Sequence, residues 1–232
     1  MLASIEKLVV DGPSGVIELA LDWPAQPPDD PSRSVPGVVY IGHPHPLYGG
    51  TLDNKVVATI ARSFAGLGWL AVRFNFRGVG RSSGEHDEGR GETEDFLYLG
   101  DTVPTLPQVS SRLPASLPVA VAGFSFGSFV AAMGAYALST ANRNVRHVVL
   151  VGAAAGKWAM PTVAPNALVI HGELDETIPL VDVLEWARPQ GLPIVVVPGA
   201  DHFFHRRLGL LKRLISAHIL GMPAIDAAPQ SD

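Results

Sequence analysis

The chain has no cysteine among its 232 residues. That excludes disulfides, thiol chemistry and cysteine-based metal sites, and it fits a reducing compartment. It also lacks a basic surplus: the net charge is -5 and the arginines are scattered, which leaves no cationic field for phosphate backbones. Nucleic acid is therefore not an expected partner. Met1 to Lys7 contain no basic stretch followed by an apolar core, so no signal peptide is expected and a cytoplasmic location is the default. There is no repeat, low-complexity tract or run of like charge. What remains, 47% hydrophobic with 17% charged and 7% aromatic residues, describes a globular α/β enzyme better than a disordered or fibrous chain. The length suits one domain with a sizeable core, expected over 1–222 with a frayed tail over 223–232.

Taken in order, Leu8 to Leu21 read as two strands joined by the turn Asp11-Gly12-Pro13-Ser14-Gly15, an antiparallel hairpin. Trp23 to Ser34, with prolines at 24, 27, 28 and 31, is expected to be a surface loop. Gly37 to Gly42 suit a buried strand. Val56, Val57, Ile60, Ala61 and Phe64 then recur at helical spacing until Gly66 and Gly68, and Trp69 to Phe76 return as a strand. This is the β-α-β pattern of a parallel sheet. A helix is expected from Glu92 to Leu99, strands over Val145 to Val151, Ala167 to His171 and Pro193 to Pro198, and a short helix over Asp182 to Arg188. Phe204, Leu208, Leu211, Ile215 and Ile219 mark one face of a terminal helix. The expected fold is thus α/β: an eight-stranded, mostly parallel sheet that starts with a hairpin and carries helices on both faces.

The centre of this arrangement is Val119 to Val130, where a small and β-branched apolar run ends in Gly123-Phe124-Ser125-Phe126-Gly127 and an alanine-rich segment follows. It reads as strand, sharp turn and helix. Residues 119–138 also match the length of a membrane span, but a buried parallel strand and its packed helix are equally apolar on all sides. In a nucleophile elbow the serine sits in a strained turn above the sheet edge, and flanking glycines avoid a backbone clash.

A serine hydroxyl needs a base within hydrogen-bond reach and a third group to orient that base. Both should lie on loops after later strands. His171-Gly-Glu-Leu-Asp175 follows one late strand and Gly199-Ala-Asp-His202 the last, and Ser125, Asp175, His202 is the chain order of the elbow class. Glu173, Glu176, Asp182 and Asp201 are nearby acids open to the same place.

With these motifs the chain resembles the α/β-hydrolases over about residues 5 to 220. It is similar in particular to small bacterial hydrolases that carry an H-P-H-P-x-x-G-G loop (His43 to Gly50), an N-F-R-G-x-G-x-S-x-G loop (Asn75 to Gly84), G-F-S-F-G (Gly123 to Gly127) and a G-A-D-H-F-F end (Gly199 to Phe204). The resemblance implies a serine hydrolase with Ser125 as nucleophile, His202 as base and, four residues after His171, Asp175 as the acid. One oxyanion donor would be the Phe126 N-H, and the second would come from the loop after the third strand. Proline has no N-H, so Pro44 and Pro46 drop out; His45 is favoured by its position two after the loop's first histidine, with Leu47 as second choice.

No cofactor or metal is expected. His43-x-His45 lacks a third ligand of matching spacing, and Gly78-x-Gly80-x-x-x-Gly84 misses the dinucleotide spacing by one residue. Arg77 and Asn75 read as loop ties, Glu92 and Asp95 as helix-start acids, His205 as a surface or packing histidine, and His86 and Asp87 as part of a polar loop. Between Val151 and Ala167 there is no room for a lid domain. An open site suits small acyl compounds such as short-chain esters; a thioesterase or peptidase would use the same groups, and a binding protein on a hydrolase scaffold is the reading from another class.

Overall fold

Gly15, at φ +114, turns the chain between β1 (Ile5–Gly12) and β2 (Gly15–Asp22), which pair antiparallel from Ile5↔Asp22 to Gly12↔Gly15. This hairpin is the edge of a sheet in a computed structural model that describes residues 4–24, 35–114 and 116–221. The chain continues through β3 (Val38–Gly42), α1 (Lys55–Ala65), β4 (Leu70–Phe74), α2 (Arg90–Thr102), α3 (Pro107–Ser110), β5 (Val119–Phe124) and α4 (Phe126–Thr140). It ends with β6 (Val145–Val151), β7 (Leu168–Gly172), α5 (Leu180–Ala187), β8 (Ile194–Val197) and α6 (Leu208–Gly221). The eight strands lie in the order β1-β2-β4-β3-β5-β6-β7-β8. β2 is antiparallel to β4, and every later pairing is parallel.

The central strands β3, β4, β5 and β7 are buried at nearly every position because both faces of the sheet are covered. Along β3, Val38 and Tyr40 point into one core while Val39 and Ile41 point into the other. Side chains of α2, α3, α4 and α5 (Phe96, Val109, Val130, Val183) fill the first core, and those of α1 and α6 (Ile60, Phe64, Leu211, Ile215) fill the second. Asn54 caps α1 by accepting from the Val56 and Val57 N-H groups at 2.9 and 3.4 Å, which satisfies two of the donors that a helix start leaves free.

Several bounds differ from those expected. β4 stops at Phe74, and the Phe76 N-H donates at 2.9 Å to His43 Nε2 in place of a neighbouring strand. Phe204 lies outside the terminal helix: it adopts φ +53, is fully buried, and donates its N-H to Asp201 O at 3.1 Å. The helix starts at Leu208, once the turn through Phe204 and Arg206, both at positive φ, is complete. Residues 152–166 carry no helix. The segment 119–138 divides at Ser125 into strand and helix, and no helix among the described residues is long and apolar enough to cross a membrane. The proposed tail 223–232 and most of the proline-rich loop, residues 25–34, lie outside the described residues.

Candidate active site

Parallel strands place their C-terminal ends, and the loops that leave them, along one edge of the sheet. The loops after β3, β4, β5, β7 and β8 carry His43 and His45, His86, Ser125, Asp175 and His202 respectively.

Ser125 takes φ 56 and ψ -125 between β5 and α4. For a residue with a Cβ this costs on the order of 1–3 kcal/mol, so the surroundings must impose it. They do so through the backbone. The Ser125 N-H donates to Val151 O at 3.0 Å, and its C=O accepts from the Ser128 N-H at 2.8 Å and the Ser128 hydroxyl at 2.6 Å. Ser128 Oγ in turn accepts from the Ala154 N-H at 3.0 Å, which ties the first turn of α4 to the loop after β6. A Cβ on Gly123 would run into the Gly127 carbonyl, and one on Gly127 into the Gly42 carbonyl. The glycines are thus required by close backbone approach on both sides of the serine.

Asp175 is buried and its carboxylate is fully engaged. Oδ1 accepts from the N-H groups of Thr177 (2.9 Å) and Ile178 (2.8 Å), and Oδ2 lies 2.7 Å from His202 Nδ1. Burial alone would raise its pKa, but the His202 and Ile178 hydrogen bonds and the nearby imidazoles outweigh that and hold it below the ordinary carboxylate value. An ionised carboxylate only accepts, so His202 Nδ1 carries a proton, and in the neutral ring Nε2 is left with the lone pair. The His202 ring is 4% exposed and packs against Phe124 and Phe203, with centroids 4.9 and 5.1 Å away. It also faces Gly152, where a Cβ would stand 3.3 Å from His202 Cε1. Gly152 follows Val151, the acceptor for the Ser125 N-H, so serine and imidazole flank the same end of β6. Among the described residues no hydrogen bond joins Ser125 Oγ to His202; such bonds are often long before substrate binds.

The other acids are turned elsewhere. Glu173 accepts from the Gly199 N-H at 2.8 Å, Glu176 is exposed, Asp182 faces Gly156, and Asp201 pairs with His205 at 2.6 Å on the surface.

In the loop after β3, His43 is held through both nitrogens: Nδ1-H donates to Pro44 O at 2.6 Å and Nε2 accepts from Phe76 N-H. Burial pushes its pKa down to about 4, so it is a neutral structural histidine with no free nitrogen for a metal. Among the described residues no group of three or more His, Cys, Asp or Glu is placed to hold a metal ion. The Leu47 N-H donates to His45 Nδ1 at 3.2 Å, whereas His45 N-H has no partner among the described residues. Burial and the His86 imidazole lower the pKa of His45.

The profile of a family described as "Serine aminopeptidase, S33" matches residues 49–196. A solved α/β serine hydrolase without lid, from Xanthomonas campestris, is 32% identical over 97% of this chain and 99% of that one, with a TM-score of 0.80. The chain belongs to this family, within the α/β-hydrolases. A second α/β serine hydrolase homologue, from Coxiella burnetii, is 33% identical to this hydrolase over 92% of it and 97% of the other chain, with a TM-score of 0.74. An uncharacterised protein of Rickettsia prowazekii is 26% identical over 196 residues, 79% of this hydrolase and 78% of its own length.

Three features of the site were not expected. Ser128 acts on Ser125 through backbone contacts that leave no sequence pattern. His171, four residues before Asp175, donates from Nε2 to Ile178 O at 2.9 Å and so braces the loop that holds the acid. His86 and Glu92, read as parts of a polar loop and a helix start, are buried together beside the elbow.

Proposed function

We propose that this α/β serine hydrolase cleaves small carboxylic esters through an acyl-enzyme on Ser125. The observation that carries the reading is the buried His202–Asp175 pair, which sits at the same sheet edge as a serine in a strained, non-glycine turn. His202 Nε2 takes the proton as Ser125 Oγ attacks the acyl carbonyl. The resulting oxyanion is met by the N-H groups of Phe126 and His45. His45 is preferred over Leu47 because the Leu47 N-H already donates to His45 Nδ1. His202 then returns the proton to the leaving alcohol. A water attacks the acyl-enzyme with His202 again as base, which releases the acid and restores the hydroxyl. Asp175 keeps the imidazole in the tautomer that the first step needs and stabilises its cation. Every step uses groups of this chain, so no cofactor is required.

The acyl group is proposed to be small and the partner a free small molecule. Residues 152–166, between β6 and β7, form no helix, and the edge exposes apolar side chains: Leu47 is 71% exposed, Tyr48 87% and Leu174 59%.

A peptidase reading is supported by the description of the matching family. An aminopeptidase needs a carboxylate for the free ammonium of its substrate, and the buried carboxylates at this edge, Asp175 and Glu92, are each bonded to a histidine. The test is a panel of p-nitrophenyl esters of increasing chain length, matched thioesters and aminoacyl p-nitroanilides. Short esters are expected to give the highest kcat/KM. Faster turnover of the anilides would replace the ester reading with the peptidase one.

A further inference from the structure

Three rings close a triangle beside the elbow. The centroids of His45 and Phe126 are 5.1 Å apart, those of His45 and His86 4.6 Å, and those of His86 and Phe126 5.3 Å. His45 and His86 come from the loops after β3 and β4, and Phe126 opens α4 after β5. Two of the three residues supply the backbone N-H groups assigned above to the oxyanion.

The third ring is anchored to a helix. His86 Nδ1 lies 2.7 Å from Glu92 Oε1, and its side chain is 6% exposed. Glu92, in the first turn of α2 and fully buried, also accepts from the N-H groups of Asp87 (3.0 Å) and Gly89 (2.8 Å). With three donors on the carboxylate, Nδ1 of His86 carries the proton and the ring cannot rotate without breaking a buried charge-assisted bond. The opposite nitrogen, Nε2, is buried and makes no hydrogen bond, with the exposed Glu88 carboxylate 3.6 Å away. A phenylalanine would fill this space without leaving a polar atom unmet. An imidazole makes sense here where the tether to Glu92 matters: it fixes the ring's orientation.

We propose that His86, held by Glu92, is a positioning residue of the oxyanion hole: its ring packs against those of both His45 and Phe126 and fixes the placement of their two N-H donors. The proposal rests on the Ser125 acyl-enzyme reading. Donors of this kind work only at the oxygen position of the transition state, so displacement should lower kcat and leave substrate binding in place.

The test compares His86→Ala, His86→Asn and His86→Phe, with active sites counted by a fluorophosphonate that labels Ser125. Asparagine keeps a donor for Glu92 and guards against a folding failure of the alanine variant. Per labelled site, Ala and Asn should lose about tenfold or more in kcat, since outright loss of one oxyanion donor costs roughly 10²–10³. KM should stay within about twofold, and an alkylboronic acid inhibitor should weaken in proportion to kcat/KM. His86→Phe, which restores the ring but not its tether to Glu92, should recover only part of the rate. Unchanged kcat per labelled site in Ala and Asn, a loss confined to KM, or a Phe variant no better than Ala would overturn the proposal. Wild-type protein that neither labels at Ser125 nor hydrolyses esters would instead remove the reading beneath it.

Discussion

His202 Nδ1 and Asp175 Oδ2 are 2.7 Å apart, and both side chains are almost wholly buried. Two backbone N-H groups hold the other carboxylate oxygen, so Asp175 can move neither away from His202 nor into solvent. Asp175→Asn presents an amide that can turn its NH₂ toward Nδ1 and favour the wrong tautomer. In the proposed mechanism kcat should fall by about 10⁴ with the fold intact. Ester hydrolysis together with circular dichroism checks this. Near-normal turnover with a loss instead in Asp182→Asn or Glu176→Gln would move the acid elsewhere.

Gly127→Ala should destabilise the protein by at least about 1–3 kcal/mol, because its Cβ would be driven into the Gly42 carbonyl and the backbone has no slack to yield. Urea denaturation measures this directly. A variant as stable as wild type would mean that the elbow relaxes more easily than its packing implies.

The strands, their alternation with helices and the elbow were legible because they rest on local signals: apolar runs, glycine punctuation and chain order. Ser125, Asp175 and His202 each follow a strand end, and in a parallel sheet those ends share one edge. The miss at Phe204 shows the limit. Its spacing from Leu208 and Leu211 fits a helical face, yet a tight turn buries the same ring without a helix. His86 and Glu92 were missed for a related reason: a glutamate near a helix start and a histidine in a polar loop gain meaning only when tertiary folding seals both from water. Likewise, the role of His43 depends on the Phe76 N-H, 33 residues away.

Acid should weaken the fold before the carboxylates titrate. His43 and His147 are buried, and burial pushes both pKa values down to about 4. The unfolded chain therefore takes up protons first. The stability these groups contribute is full above the unfolded value of about 6.5 and is lost as the pH falls from there toward 4, on the order of 3 kcal/mol for the fully buried His43. His147, which packs against Phe64, Trp69 and His218, has an unpaired Nδ1. His147→Leu should flatten part of the fall in melting temperature between pH 7 and pH 5. An unchanged pH dependence in this variant would remove His147 from the account.

Arg73 on β4 binds Asp22 on β2 through two bonds of 2.7 and 3.3 Å and also donates to Leu52 O at 2.7 Å, all buried. Arg73→Met strands the Asp22 carboxylate and should cost about 3–5 kcal/mol, whereas Arg73→Met with Asp22→Leu should recover much of that loss. Chemical denaturation of both variants checks it. A double variant as unstable as the single one would show that the Leu52 and Asp53 contacts, not the Asp22 pair, carry the effect.

In the proposed mechanism Ser125 becomes acylated. Wild-type protein treated with a fluorophosphonate should take up one equivalent on the peptide that contains Ser125, read by mass spectrometry, and lose ester hydrolysis in step. Ser125→Ala should neither label nor retain activity, with kcat reduced by on the order of 10⁴ or more. Hydrolysis that survives in Ser125→Ala, or a label found on another residue, would contradict the account.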